Sequence, residues 1–169
     1  MRQLTILEIN RIKLLTEKSV ELCLIEPTGT GLEKSIMDAT GSVRSYLKAN
    51  NIHDFELQKQ GQESKIQINS FIISSDSLVN SVASLYRPNT KNGDPRIWFK
   101  GLGSYSKAND ILGIISFECD LYVLNITQHI NIGGKANIFS NTQNKKPNFF
   151  LSFYKNFFSL AKKHGTKTP

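Results

Sequence analysis

Arg87, Lys91, Arg96 and Lys100 crowd together with Asp94 and two prolines in the stretch LYRPNTKNGDPRIWFKG, residues 85 to 101. Arginine can donate two parallel hydrogen bonds to O6 and N7 of guanine, and aspartate can accept from the amino group of cytosine. Reading a G·C pair from both of its bases therefore needs a cation and a carboxylate side by side. Asp94-Pro95-Arg96 supplies that pair at the mouth of an expected strand, and Arg87 stands at the other end of the same loop. Residues two apart in an extended segment point the same way, so Asp94 and Arg96 are expected to face one groove together. Pro88 and Pro95 restrict the loop and lower the entropy lost on docking. Trp98 and Phe99 should alternate, one anchoring the strand in the core and one turned outward. A solvated loop with an Asp–Arg pair of little energetic weight uses the same residue types. Base contact and plain surface charge both remain open on these residues alone.

Other chemistries find less support. GTGLEKS (29–35) imitates a phosphate loop, but Glu33 stands where a glycine must precede the lysine, and a carboxylate there repels phosphate. Thr30 and Glu33 instead have the spacing of a helix capping box. NIGGK (131–135) lacks the leading glycine and the hydroxyl residue, and reads as a turn. His53, His129 and His164 share no metal-ligand spacing. Asp54, Glu63 and Lys65 do match a loose acid…Glu-x-Lys pattern, in which two carboxylates hold magnesium and a lysine orients the attacking water. A metal-dependent nuclease is thus the alternative function, set against a plain strand edge that explains the same three residues.

The elements that must position these groups are mostly strands. LTILEI (4–9), VELCLI (20–25), KIQINSFII (65–73), RIWFK (96–100), ILGIISF (111–117) and DLYVLNI (120–126) are short and rich in β-branched and aromatic residues. The last two are expected to form a hairpin turning at residues 118 to 120, with SYSKAND marking the turn before it. A helix is expected over GSVRSYLKANN, capped by Ser42, burying Val43, Tyr46 and Leu47, and stopped by Asn50-Asn51. A second is expected after Pro147, where Phe149, Phe150, Phe153, Phe157, Leu160 and Ala161 make an apolar stripe suited to docking. The pattern predicts a mainly β barrel or sandwich with one or two short helices and a C-terminal helix.

Composition bounds the rest. The 169 residues suit one domain, expected over 1–145, followed by a C-terminal helix and basic linker over 146–169. The net charge is +7, yet the last 25 residues hold six lysines and no acid. Without those six, 15 basic residues face 14 acidic ones, so overall charge is a weak argument for a nucleic-acid partner. Cys23 and Cys119 lie far apart in apolar runs and are expected to be reduced core residues. No run has the roughly 18 apolar residues of a membrane span, and the first residues do not read as a signal peptide. A soluble, cytoplasmic protein without a membrane partner is the expectation.

The strand and arm VELCLIEPTGTGLEKS, followed by Arg87…Asn92-Gly93-Asp94-Pro95-Arg96, resembles the N-terminal effector domain of EcoRII-like Type IIE restriction endonucleases. The similarity runs over about residues 20 to 126. It implies the DNA-binding pseudobarrel, an open β-barrel shared with plant transcription factors of the B-three superfamily. It also implies two arms that grip the major groove of double-stranded DNA and read a CCWGG-type half-site. Carried onto this sequence, Arg87, Lys91, Asn92, Asp94 and Arg96 would serve base readout. Thr28, Gly29, Thr30, Lys34, Ser35 and Lys100 would serve the first arm and the DNA backbone. Asp94 replaces the glutamate of the better-known relative, and Glu26 falls near where a cation is expected. No catalytic residue and no cofactor are expected in this segment. Mg2+ belongs to a nuclease domain expected further along the same chain.

Overall fold

The computed structural model describes residues 1–128 except 18–20, 35, 74–77 and 118. The expected helix after Pro147, the NIGGK turn, the basic tail, His129, His164 and Ser35 lie outside the described residues. The strands are β1 (Cys23–Ile25), β2 (Met37–Asp38), β3 (Ile66–Ile73), β4 (Leu78–Tyr86), β5 (Arg96–Phe99), β6 (Leu112–Phe117) and β7 (Asp120–Asn125). They make one curled, half-barrel sheet in the order β1-β6-β7-β3-β4-β5-β2, antiparallel except for the β3–β7 pair. The molecule is therefore mainly β with few helices. Its two edge strands, β1 and β2, are neighbours in sequence, so residues 26–36 lead from one edge of the sheet to the other.

Alternation along the strands divides the apolar side chains between two faces. Cys23, Ile25, Ile72, Ala83, Leu85, Ile97, Phe99, Leu112, Ile114, Leu121 and Val123 form the inner core. Helix α3 (Gly41–Ala49) fills that core with Val43, Tyr46 and Leu47, the face expected from its spacing. The Tyr46 hydroxyl donates to the Glu21 carbonyl (3.2 Å) and accepts from the Ser116 N–H (2.9 Å), fixing the helix beside β1 and β6. Its cap is Thr40, whose hydroxyl accepts from the Val43 N–H (3.4 Å), and not the expected Ser42. Asn50 ends the helix and Asn51 takes φ 54°, a left-handed conformation that asparagine tolerates better than most residues.

The expected strand over 4–9 is instead the start of helix α1 (Ile6–Glu17). Thr5 and Glu8 decide it by forming a reciprocal capping box: the Glu8 N–H donates to the Thr5 hydroxyl, and the Thr5 N–H donates to the Glu8 carboxylate. Leu4, Ile12 and Leu15 then pack over Ile73, Ile111, Ile115, Tyr122, Leu124 and Ile126 on the outer face of β3, β7 and β6. Those strands are buried on both faces, which is why ILGIISF and DLYVLNI read as nearly continuous apolar runs.

The β6–β7 hairpin turns between Phe117 and Asp120 as expected. Cys119 stands in the turn with φ 68° and is exposed, not a core residue; Cys23 is buried, and both are free thiols. The long strand β4 has no counterpart among the expected elements. Among the described residues, no helix is long and apolar enough to cross a membrane.

Candidate nucleic-acid interface

Strand β5 lies between the two segments singled out as arms. Residues 87–95 enter it from β4, and Gly101 and the 3-10 turn Leu102–Ser104 follow it. The first arm contains the short helix α2 (Gly29–Glu33), which lies against that turn, with Gly29 close to Ala108. The cap of α2 is Thr28, whose hydroxyl accepts from the Gly31 N–H (3.0 Å); the Thr30–Glu33 capping box is not formed. Gly31 is required here because a Cβ would meet the Ile36 carbonyl oxygen at 2.7 Å. Thr28, Gly29, Thr30 and Lys34 are all exposed. Glu26 is engaged elsewhere, accepting from the Arg2 N–H (2.6 Å) with the chain's amino terminus 3.6 Å away.

The second arm is braced from behind. Arg87 is half-buried, and its guanidinium donates to the Gly93 carbonyl (3.0 Å) and to the Phe55 carbonyl at the 3.5 Å limit. The Gly61 N–H donates to the Arg87 carbonyl (2.8 Å), and the Gln60 amide to the Asn92 carbonyl (3.3 Å). Asn92 and Gly93 both have positive φ, 56° and 73°, so the Asn-Gly pair is what lets the loop fold back on itself. Gln58, buried, donates to the carbonyls of Ser64 (2.7 Å) and Leu85 (3.0 Å) and ties the bracing segment to β4. Arg87 thus holds the shape of the loop that presents Asn92 and Asp94, both exposed.

Asp94 and Arg96 form no ion pair, although they are two apart. From Arg96 onward, alternation puts Arg96 and Trp98 on the outer face, opposite buried Ile97 and Phe99; Lys100, next in the alternation, is exposed. Phe99 is the anchor and Trp98 the outward residue. Register completes two rows on that face. Asp38, Arg96 and Tyr86 are cross-strand partners, and Lys65, just before β3, reaches this row through its ammonium. Beside them run Trp98, Ser84 and Gln67. The Lys65 ammonium lies 5.3 Å from the Trp98 ring centre and 5.9 Å from that of Tyr86, within cation–π range. Ser84 Oγ, Arg96 Nε and Trp98 Nε1 are buried and have no hydrogen-bond partner.

The alternative acid…Glu-x-Lys set is distributed over different surroundings. Asp54 pairs with Lys48 (2.8 Å) and caps the turn Phe55–Leu57. The Lys48 ammonium and the Glu56 N–H together hold its carboxyl below the usual range. Glu63 is exposed and its carboxylate folds over Gly61, while Lys65 lies on the aromatic pair. No hydrogen bond or ion pair joins the three. Among the described residues, no cluster of three His, Cys, Asp or Glu side chains could hold a metal.

Comparison of the chain with protein-family models, curated proteins and solved structures finds no match. Sequence reasoning missed Gln58, Gln60, Ser84 and Tyr86, which support or line this face. The signal for Ser84 and Tyr86 was weak, because Asn80, Ser81 and Ser84 break the alternating polarity of LVNSVASLY.

Proposed function

We propose that this chain is a sequence-specific, double-stranded DNA-binding effector domain of a Type II restriction endonuclease. In this reading the curled sheet is a pseudobarrel, and its two arms read a CCWGG-type half-site in the major groove. The observation that carries it is the Arg…Asn-x-acid-x-Arg segment, presented on a braced loop and continuous with the outward side chains of β5. Asn92, Asp94 and Arg96, with Lys91 beside them, read base edges, and Arg87 positions them. Thr28, Gly29, Thr30, Lys34, Ser35 and Lys100 serve the backbone side of the complex. The domain binds without cutting, and cleavage with Mg2+ belongs to a nuclease domain of the full-length protein.

Asp94 gives the sharpest test. A carboxylate near DNA is repelled by phosphates, so a binder indifferent to sequence gains by losing it. A carboxylate that accepts from cytosine is needed by the specific complex, because its removal leaves a donor unpaired. Asp94→Ala should therefore weaken binding to a duplex with one CCWGG site and leave binding to a matched duplex lacking it equal or slightly tighter. Gel shifts at one fixed salt concentration measure both. Unchanged or improved affinity for the CCWGG duplex makes Asp94 an ordinary surface acid. Incubation with supercoiled plasmid and Mg2+ checks the non-cutting assignment; nicking abolished by Glu63→Ala overturns it.

A further inference from the structure

We propose that the outer face of β3, β4 and β5 carries a phosphate-contact site for the DNA backbone, built from Lys65, Ser84, Trp98 and the Nε of Arg96, whose terminal guanidinium nitrogens are left to read a base. The proposal rests on the DNA-binding reading and adds to it a floor beside the reading loop. Its starting point is the orphaned trio. Arg96 Nε and Trp98 Nε1 can only donate, and a serine hydroxyl can donate. All three are buried without a partner, and Ser84 is fully buried as a residue. Native proteins leave few such groups unpaired, and each calls for an explanation.

Chemistry selects the ligand. Base edges display donors as well as acceptors, whereas a phosphodiester displays only acceptor oxygens and a negative charge. Two groups that can only donate and a hydroxyl that can donate, beside the Lys65 ammonium, match the phosphodiester. The three orphans sit in adjacent positions: Trp98 is the cross-strand partner of Ser84, and Arg96 precedes Trp98 by one outward step on β5. Lys65 covers the rings of Trp98 and Tyr86 with a flexible stem and a compact charge. Binding as proposed moves that ammonium from the rings to a phosphate oxygen and requires the face to open enough for the donors to be reached. Asp38, the cross-strand partner of Arg96, is the one acid in these two rows.

Trp98 is the only tryptophan of the chain, so its emission reports on this face alone. The full chain is titrated with a CCWGG duplex, with a matched duplex lacking the site, and with inorganic phosphate. Both duplexes should change the Trp98 emission. Lys65→Met should weaken both complexes to the same degree, reduce the salt slope by about 0.9 and leave the ratio of the two affinities unchanged. Lys65→Arg should restore the slope. Ser84→Ala removes an unpaired hydroxyl, so its melting temperature should hold or rise while duplex affinity falls, a combination that a purely structural serine does not give.

The outcomes separate the two proposals. If wild-type protein shifts neither duplex in a gel, the DNA-binding reading fails and the floor with it. If the duplexes are shifted but Trp98 emission is silent, or Lys65→Met keeps the wild-type slope, the floor alone is wrong. Emission that responds to millimolar phosphate and not to the bound duplexes assigns the site to a free anion, and also overturns the proposal.

Discussion

One sheet has two differently finished outer faces. Over β1, β6, β7 and the end of β3, the outer side chains are apolar and α1 covers them. Over β4, β5 and β2, the same alternation places Asp38, Arg96, Tyr86, Trp98 and Ser84, and among the described residues no helix packs on them. On the covered half the charged groups beneath α1 are hydrogen-bonded, and the one unpaired buried hydroxyl among the described residues there, Ser70 Oγ on β3, lies in the row of Ile68 and Ile72 on the inner face. Glu8, 1% exposed, accepts from the Arg2 guanidinium (2.5 and 2.9 Å), the Thr5 N–H (2.8 Å) and the Thr127 hydroxyl. Arg11 donates to the carbonyls of Ile126, Thr127 and Gln128 at 2.5 to 3.0 Å. The other half leaves three buried polar atoms unpaired on its outer face. Strand geometry is common to both halves, so the difference lies in what the outward residues are required to do. One face is completed by the chain itself; the other is the face to which we assign the proposed DNA contact.

Removing the Glu8 carboxylate is the largest expected effect. Glu8→Gln should destabilise the fold by about 3 kcal/mol, the low end of the cost of breaking a buried ion pair, because Glu8 is buried but Arg2 is part-exposed. Chemical denaturation at neutral pH measures it. Arg2 and the hydrogen bonds from Thr127 and Thr5 hold the Glu8 carboxyl well below the usual carboxylate range. A depressed folded-state pKa stabilises the protein fully above the unfolded value, about 4.3, and the contribution is lost as pH falls below that. The gap between wild type and Glu8→Gln should therefore narrow from pH 5 downward. A gap independent of pH would mean that Glu8 acts through packing alone, and the contrast between the two halves would lose its electrostatic basis.

On the open half, substitution should act on binding before stability. Arg96→Ala should cost about 1–3 kcal/mol of discrimination at one G·C pair, the scale of a lost bidentate base contact. Its melting temperature should stay close to wild type, because the guanidinium Nε has no partner to lose. Duplexes substituted at single positions of CCWGG locate the pair. Equal losses on cognate and scrambled duplexes would make Arg96 a phosphate contact and merge it with the floor beneath it.

The two halves were unequally legible in the sequence. The apolar runs of β6 and β7 and the face of α3 follow directly from periodicity, and the structure has them where expected. The segment 4–9 misled because Leu4, Ile6 and Ile9 suit a strand by composition. The Thr5–Glu8 spacing that turns it into a helix is a capping signal of only two residues. Strand β4 was passed over because serine and asparagine dilute its alternation. Arg87, Asn92, Asp94 and Arg96 stood out by residue type, but the role of Arg87 depends on Gly93 and Phe55. Contact with Phe55, 32 positions away, has no local sequence signature.

The smallest expected effect tests whether the difference between the halves reaches exposed lysines. Lys34 follows α2 on the first arm, whereas Lys13 lies on α1 over the covered half; both are exposed. Neither has an ion pair among the described residues, so neither substitution should move stability by more than about 0.5 kcal/mol. In the proposed complex Lys34 neutralises a phosphate and Lys13 does not. Each phosphate contact contributes about 0.9 to the dependence of log affinity on log salt. Lys34→Ala should therefore lower that slope by about 0.9 on cognate and scrambled duplexes alike, with their affinity ratio preserved. Lys13→Ala should leave both slope and affinity at wild-type values. Equal changes in the two variants would show that the chain's positive charge acts diffusely, and the division of the sheet into a finished face and a binding face would not extend to its surface lysines.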